Sequence, residues 1–242
     1  MQRAGVIGLG DMGSGLAKNL IANGFQTTGL DLSEARMSAF VDMGGNPAAS
    51  AAEVGATADA VYVMVMNGDQ AKAVILGPDG LVANMDKGGA VILSATIKPR
   101  EAREIGDAME GSGIHQIDTP VSGGFPGAQG GTLTMMAAAP DAILDEFAPV
   151  MEAVSASIHR VGTKPGYIDR CIGRERLGRL ELPGDSDRFT AGASFLGQGR
   201  HACEPDDERQ RDDDREHPPH VGTFLLSGVV DRRVTSRTCA SV

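Results

Sequence analysis

The sequence predicts an α/β fold with a doubly wound parallel sheet over about residues 1–162. Three observations predict it. A short apolar strand at residues 4–7 runs into a glycine-rich turn, and a helical pattern follows at once. Strand and helix patterns then alternate up to about Gly166, which is typical of a parallel sheet with crossover helices. The continuous apolar run 60–66 is what a strand buried on both faces of such a sheet requires.

The individual elements follow from local signals in chain order. The first helix ends at Asn23-Gly24. Ser33 is a good N-cap for the next, which Gly44 ends, and Pro99 suits the first turn of a later helix. The predicted strands are 4–7, 26–30, 60–66, 90–93, 114–118, 133–137 and 157–161. The predicted helices are the one after the glycine turn, then 33–44, 48–54, 69–76 and 99–110, and one beginning in 141–147. Residues 77–80 form a turn and 119–131 a glycine-rich segment.

The glycine turn predicts a dinucleotide site. Gly8 permits the tight turn, Gly10 lets the backbone approach a pyrophosphate, and Gly13 allows close packing of helix on strand. The helix N-terminus then offers free N–H groups and a positive dipole to the phosphates. The predicted cofactor residues in this turn are Gly8, Leu9, Gly10, Asp11, Met12 and Gly13. The alternative is an ordinary structural turn.

Asp31 ends the second predicted strand, 18 residues after Gly13. An acid at this position binds the 2′-hydroxyl of the adenosine ribose, and its charge repels a 2′-phosphate, so Asp31 favours NAD over NADP. The alternative is a turn or N-cap acid ahead of Ser33 and Glu34.

A second motif follows the strand that ends at Asp118. Small residues leave the N–H groups of Ser122, Gly123 and Gly124 free to hold an anion such as a substrate carboxylate, and the Ser122 hydroxyl can reach a substrate oxygen. The alternative is a glycine-rich loop that merely connects two strands.

Together the two motifs resemble the β-hydroxyacid dehydrogenase family. The matching residues are Gly8 to Gly13 with Ala17 to Leu20, Asp118 with Pro120 to Gly124, and Gly127, Ala128 and Gly131 to Thr134; the likeness extends over about residues 3–166. The resemblance implies an NAD(P)-dependent oxidoreductase with a Rossmann-like domain, which passes a hydride between nicotinamide and the hydroxyl carbon of a small 3-hydroxy acid. It also implies that Met66, Asn67 and Thr96 lie near the nicotinamide and that Ser122, Gly123 and Gly124 bind the substrate.

The family also carries a catalytic lysine on a long helix directly after this domain, with an asparagine one turn on. No residue from 167 to 242 is a lysine or an asparagine. Lys164 precedes Pro165 and lies before the expected helix, so the role is not transferred to it. Two functions are therefore open: an active dehydrogenase, or a catalytically inactive dinucleotide-binding remnant.

The composition changes abruptly at the end of the predicted domain. Residues 167–242 hold 12 of the 17 arginines, all three cysteines and none of the 11 methionines. Two explanations for the segment 163–242 are open: a charged, flexible extension, or an out-of-frame translation of a GC-rich gene, which the composition favours. The helical domain that makes the family's dimer is not recognisable, so the oligomeric state stays open.

The bulk composition argues against several kinds of partner, location and site. A net charge of −10 argues against nucleic acid as a partner. The longest apolar run, 60–66, is too short to span a membrane, and no signal peptide is visible, so we expect a cytoplasmic protein. Cys171, Cys203 and Cys239 are widely spaced and form no metal or redox motif, so no metal site is expected.

Overall fold

The structure is a computed structural model, and it describes residues 3–166. In this part of the chain the strands are β1 (Arg3–Ile7), β2 (Gln26–Leu30), β3 (Asn46–Pro47), β4 (Ala60–Val63), β5 (Ala90–Leu93), β6 (His115–Asp118), β7 (Val121–Ser122), β8 (Leu133–Ala138) and β9 (Ser155–Gly162). The helices are α1 (Asp11–Ala22), α2 (Glu34–Asp42), α3 (Ala51–Thr57), α4 (Gly68–Leu76), α5 (Leu81–Asn84), α6 (Pro99–Met109), α7 (Gly124–Gly130), α8 (Asp141–Glu146) and α9 (Ala148–Glu152).

These strands form one sheet in the order β3-β2-β1-β4-β5-β6-β8-β7, with β9 beside β8. Strands β1 to β6 pair in parallel, which confirms the predicted doubly wound α/β class. The chain first winds outward from β1 through β2 to β3, and then from β4 through β5 to β6. The order therefore reverses between β1 and β4, and such a switch point opens a crevice at the carboxyl ends of the strands. Strand β8 runs antiparallel to β6 and β7, and β9 runs parallel to β8.

The core lies on both faces of the sheet, because side chains alternate along each strand. Val6, Tyr62 and Ile92 belong to one buried cluster, with Leu16 and Leu20 of α1. The opposite cluster holds the alternate strand residues Ile7, Val61, Val63, Val91 and Leu93. Burial on both faces explains why these strands read as continuous apolar runs rather than as alternating patterns.

The apolar run 60–66 does not form strand throughout. Strand β4 ends at Val63, and Met66 is 84% exposed. Its neighbours β1 and β5 end at Ile7 and Leu93, at the same level of the register, so the ladder on both sides of β4 stops there. Hydrophobicity alone carries no signal for the residue at which a pairing partner ends.

The glycine-rich segment after Ser122 is partly helical. Residues 124–130 form α7, which the sequence predicted only as loop, and the short elements β3, α5 and β7 were also missed. Strand β9 extends beyond the predicted 157–161 to Ser155–Gly162. Short elements of this kind depend on contacts with distant segments, which propensity does not report.

None of the helices in residues 3–166 has the length and apolar character needed to cross a bilayer. In the same residues no three His, Cys, Asp or Glu side chains are grouped so that they could hold a metal ion. The expectations for the charged segment, for its cysteines and for the position of the missing lysine fall on residues 167–242, outside the described part. The predicted boundary at residue 162 stays a prediction.

Candidate functional site

Two glycines of the motif cannot accept side chains: Gly8, in the loop between β1 and α1, and Gly13, in the first turn of α1. Gly8 has a φ of 92°, and its N–H donates to the Leu30 carbonyl at 2.8 Å. A Cβ on Gly8 would lie 2.2 Å from the carbonyl oxygen of Met64, and one on Gly13 would lie 1.7 Å from that of Gly8. The loop is therefore fixed by backbone contacts with β2, with the segment after β4 and with α1.

Gly10 differs, because no protein atom crowds it. It precedes α1 as the N-cap, and a Cβ there would meet only the guanidinium group of Arg36, at 3.9 Å. The first-turn N–H groups of a helix have no partner within the helix, so those of α1 are available for a ligand next to Gly10. Open space in front of a helix N-terminus is a suitable place for a phosphate.

Asp31 lies at the tip of β2 and holds the glycine loop. Its Oδ2 accepts a hydrogen bond of 2.7 Å from the Leu9 N–H, and its Oδ1 accepts one of 2.9 Å from the Ser33 N–H. The Arg36 guanidinium is 3.5 Å from Oδ1, and the Asp31 side chain is only 8% exposed. Leu9 itself is buried in the core. The two interpretations of Asp31 thus coexist: it is a turn acid beside Ser33, and it also lies beside the predicted cofactor loop.

Sequence reasoning missed Arg36. It is the third residue of α2, and its side chain is 55% exposed. The available signal was a basic residue in the first turn of the helix that follows Asp31. Arg36 places a positive charge beside Asp31, at the predicted adenosine end of the site.

Met66, Asn67 and Thr96 lie in the loops after β4 and β5, at the same edge of the sheet. All three are exposed. Asn67 is the N-cap of α4, and its Oδ1 accepts a hydrogen bond of 2.9 Å from the Gln70 N–H. The Asn67 side chain thus has a structural partner already, while the side chain of Met66 projects from the loop.

Ser122, Gly123 and Gly124 are exposed where β7 leads into α7. Gly123 has a φ of 126° and Gly124 a φ of 55°, conformations that favour glycine. A Cβ on Gly123 would lie 3.2 Å from Leu133 Cδ2. The backbone of this segment is therefore held in a shape that other residues do not readily adopt.

Helix α7 packs directly on α1 and joins the two motifs. A Cβ on Gly15 would lie 2.5 Å from the carbonyl carbon of Ala128, so the two backbones are in close contact. Asn19 Nδ2 donates to the carbonyl oxygens of Gly15 and Ala128 at 2.7 Å and 2.8 Å. Gln129 Nε2 donates to Ser14 Oγ at 3.2 Å. This contact packs the helix that follows the glycine loop against the helix that follows Ser122, Gly123 and Gly124, which we call the Ser122 segment.

Comparison with known proteins agrees with this arrangement. The family model described as the NAD binding domain of 6-phosphogluconate dehydrogenase matches residues 3–162. The L-threonate dehydrogenase of Cupriavidus necator is 39% identical over 162 residues, which are 67% of this chain and 54% of that protein. The NAD-dependent L-serine dehydrogenase of Pseudomonas aeruginosa is 35% identical, with 67% and 54% of the two chains covered.

Among solved structures, the 3-hydroxyisobutyrate dehydrogenase from Salmonella typhimurium superimposes with a TM-score of 0.65 at 34% identity, over 69% of this chain and 58% of that one. The chain spans about half the length of the curated relatives it matches. The match nevertheless includes both motifs and the sheet that positions them. Residues 3–162 therefore match an NAD(P)-binding domain, and over this part the chain belongs to the β-hydroxyacid dehydrogenase family.

Proposed function

We propose that this chain binds NAD at the glycine loop and a small 3-hydroxy acid at Ser122, Gly123 and Gly124, as a dehydrogenase of the hydroxyl group. The residues that would hold the cofactor are Gly8, Leu9, Gly10, Asp11, Met12, Gly13 and Asp31, with Met66, Asn67 and Thr96 toward its nicotinamide end. NAD, when bound, accepts or supplies the hydride. The part of this chain is to hold and orient both molecules.

The observation that carries the proposal is the open space at Gly10. Gly8 and Gly13 are glycine for reasons of protein sterics, since a Cβ on either would overlap a backbone carbonyl. Gly10 has no such reason, because the nearest protein atoms lie 3.9 Å from where its Cβ would be. A glycine that the protein itself does not require, in front of a helix N-terminus, fits close approach by a pyrophosphate.

Asp31 supports NAD over NADP. A carboxylate has about four acceptor sites, and the N–H groups of Leu9 and Ser33 occupy two of them, with the Arg36 guanidinium 3.5 Å away as an ion-pair partner. Acceptor capacity is left for a ribose hydroxyl, which can donate, whereas a 2′-phosphate would bring negative charge to a carboxylate. Arg36 opposes this effect, since its guanidinium could pair with that phosphate. We expect the preference for NAD to be modest for this reason.

For the substrate, the exposed backbone at Gly123 and Gly124 suits a carboxylate, and the hydroxyl of the exposed Ser122 suits the reacting oxygen or its neighbour. The inactive remnant is the second candidate, and the lack of lysine in residues 167–242 favours it. Loss of one general acid or base typically costs about 10²–10⁴-fold in rate. The two candidates share the cofactor site and differ in turnover alone.

The partners under this proposal are small molecules, and the net charge of −10 speaks against nucleic acid. We also propose a cytoplasmic location, since an odd number of scattered cysteines suits a reducing compartment.

Titration of the full chain with NADH, followed by cofactor fluorescence, tests the binding proposal. Gly10→Ala should weaken binding by at least about tenfold, or about 1.4 kcal/mol, and should leave the fold intact. Gly130→Ala is the matched control, because a Cβ there meets only ordinary contacts from 3.5 Å outward. Wild-type protein that does not bind NADH, or a Gly10→Ala variant that binds it equally well, contradicts the proposal.

A turnover assay beside the titration separates the two candidates. NAD reduction with L-threonate or 3-hydroxyisobutyrate identifies an active dehydrogenase. NADH binding without turnover of these acids identifies the remnant.

A further inference from the structure

A buried carboxylate holds the last described residue of the chain. Asp118 ends β6 and is 6% exposed. Its Oδ2 accepts a hydrogen bond of 2.8 Å from the backbone N–H of Gly166. Side chains alternate along β6, so Asp118 points to the face opposite that of Ile117, toward α6. Gln116 lies on the same face and donates to the Ala102 carbonyl of α6.

Gly166 is held from three sides. Its φ is 73°, and it is buried. A Cβ there would lie 2.5 Å from the Pro99 carbonyl oxygen and 2.5 Å from Arg103 Cγ. Its carbonyl oxygen accepts a hydrogen bond of 2.8 Å from Arg103 Nη1. Both polar backbone groups of Gly166 are therefore bonded, and its conformation and surroundings admit only glycine without strain.

The position of this contact relates it to the proposed site. Asp118 is four residues before Ser122, and Pro99 is three residues after Thr96. The bond between Asp118 and Gly166 thus connects the end of β6, just before the Ser122 segment, to a glycine that contacts Pro99 and Arg103 of α6. It also fixes the backbone at Gly166 at the carboxyl edge of the sheet, where the ligands of open α/β sheets bind.

We propose that Asp118 is a positioning residue, which anchors Gly166 at this edge of the sheet and so sets the base of the Ser122 segment. A neutral acceptor would suffice for packing, and a buried carboxylate opposes folding. Its bond to a backbone N–H is, however, stronger than a neutral one. The link to a substrate rests on the proposed function, and the hydrogen bond that anchors Gly166 does not.

Amide hydrogen exchange in the full chain, measured residue by residue by NMR, tests the anchor. Asp118→Ala should speed exchange of the Gly166 amide by about tenfold to a hundredfold, the effect of losing one hydrogen bond to a charged group. It should also shift the Ser122 and Gly123 amide resonances. Asp118→Asn retains an acceptor oxygen, so it should restore Gly166 protection to within about threefold. Gly166→Ala should shift the same Ser122 and Gly123 resonances.

Three outcomes would overturn the inference. The first is unchanged Gly166 exchange in Asp118→Ala. The second is exchange in Asp118→Asn as fast as in Asp118→Ala, since the acceptor would then be irrelevant. The third is an equal increase in the amide exchange rates of Ile92 and Ile117, which would mean general destabilisation of the domain. NADH affinity, measured on the same variants, should stay at the wild-type value. Absence of NADH binding in the wild type contradicts the proposed function and leaves the Gly166 readout intact.

Discussion

The carboxylate of Asp31 accepts a hydrogen bond of 2.7 Å from the backbone N–H of Leu9, which joins the tip of β2 to the glycine loop after β1. Asp31, which is expected to face the cofactor, thus also stabilises the glycine loop. The carboxylate is almost wholly buried, with Ser33 and Arg36 as its further partners. A substitution that removes this acceptor therefore affects the support of the loop as well as the chemistry beside the adenosine ribose.

Asp31→Ala should lower the free energy of unfolding by about 1.5–3 kcal/mol, because the Leu9 N–H loses a charged acceptor. The NADH dissociation constant should rise in parallel, by at least about tenfold. Urea unfolding and NADH titration measure the two effects. Asp31→Asn is the control: it keeps one acceptor oxygen for Leu9 and should lose less of both. Unchanged stability in Asp31→Ala would show that the loop does not depend on this bond.

Arg36→Gln should change the choice between cofactors. Removing the guanidinium should weaken NADP⁺ binding by about tenfold, or about 1.4 kcal/mol, and should leave NAD⁺ binding within about twofold, because a 2′-hydroxyl needs no cation. Calorimetric titration with each cofactor measures the ratio. Arg100→Gln is the matched control, since Arg100 is an exposed arginine of α6 that pairs with Glu104. Equal losses for NAD⁺ and NADP⁺ would contradict a role at the 2′ position.

Gly15→Ala should destabilise the domain by about 1–3 kcal/mol, the usual effect of forcing extra volume into a packed contact. The new Cβ would lie 2.5 Å from the Ala128 backbone, so α1 and α7 would have to separate. Urea unfolding measures the loss, and Gly130→Ala on α7 is the control that should have little effect. Similar stability of the two variants would mean that the contact between the helices is loose.

Asp118 should make stability depend on pH. Burial raises the pKa of Asp118, and the hydrogen bond from Gly166 offsets part of that rise. The folded state therefore holds this proton more tightly than the unfolded chain does. The resulting stabilisation is complete below the unfolded pKa of about 3.9 and is lost as the pH rises through the folded pKa.

Asp118→Asn removes this titration. Its free energy of unfolding should exceed that of the wild type at pH 7, and the two should converge near pH 3. Urea unfolding at a series of pH values measures the difference. A constant difference across the series would contradict a raised pKa.

Much of the fold was predictable because its signals are local. Ser33 caps α2 as predicted, and the apolar runs 90–93 and 114–118 coincide closely with β5 and β6. Helix α7 was not predictable from its own residues, since a segment with three glycines and a proline among seven residues has weak helix propensity. Its backbone packs on α1 through Gly15 and Ala128, and this contact connects residues more than a hundred positions apart.

The candidate site was likewise predictable only in part. The glycine spacing, the acid after the second strand and the small residues at 122–124 suffice to predict a dinucleotide domain, and the match to its family confirms that prediction. The pairing of groups within the site was not predictable. The structure shows that Arg36 lies beside Asp31, that Asn67 caps α4 and that Asp118 accepts a hydrogen bond from Gly166. Individual site roles remain predictions for the variants above to test.

By itself, the sequence determined the parallel α/β class, the glycine loop and the absence of lysine after Gly166, because each depends on residue identity and spacing along the chain. Only the tertiary structure decided that Asp31 supports the loop, that α7 rests on α1 and that Asp118 holds Gly166. The physical reason is that a hydrogen bond requires two groups within about 3 Å, and the folded backbone alone brings residues 48 positions apart to that distance.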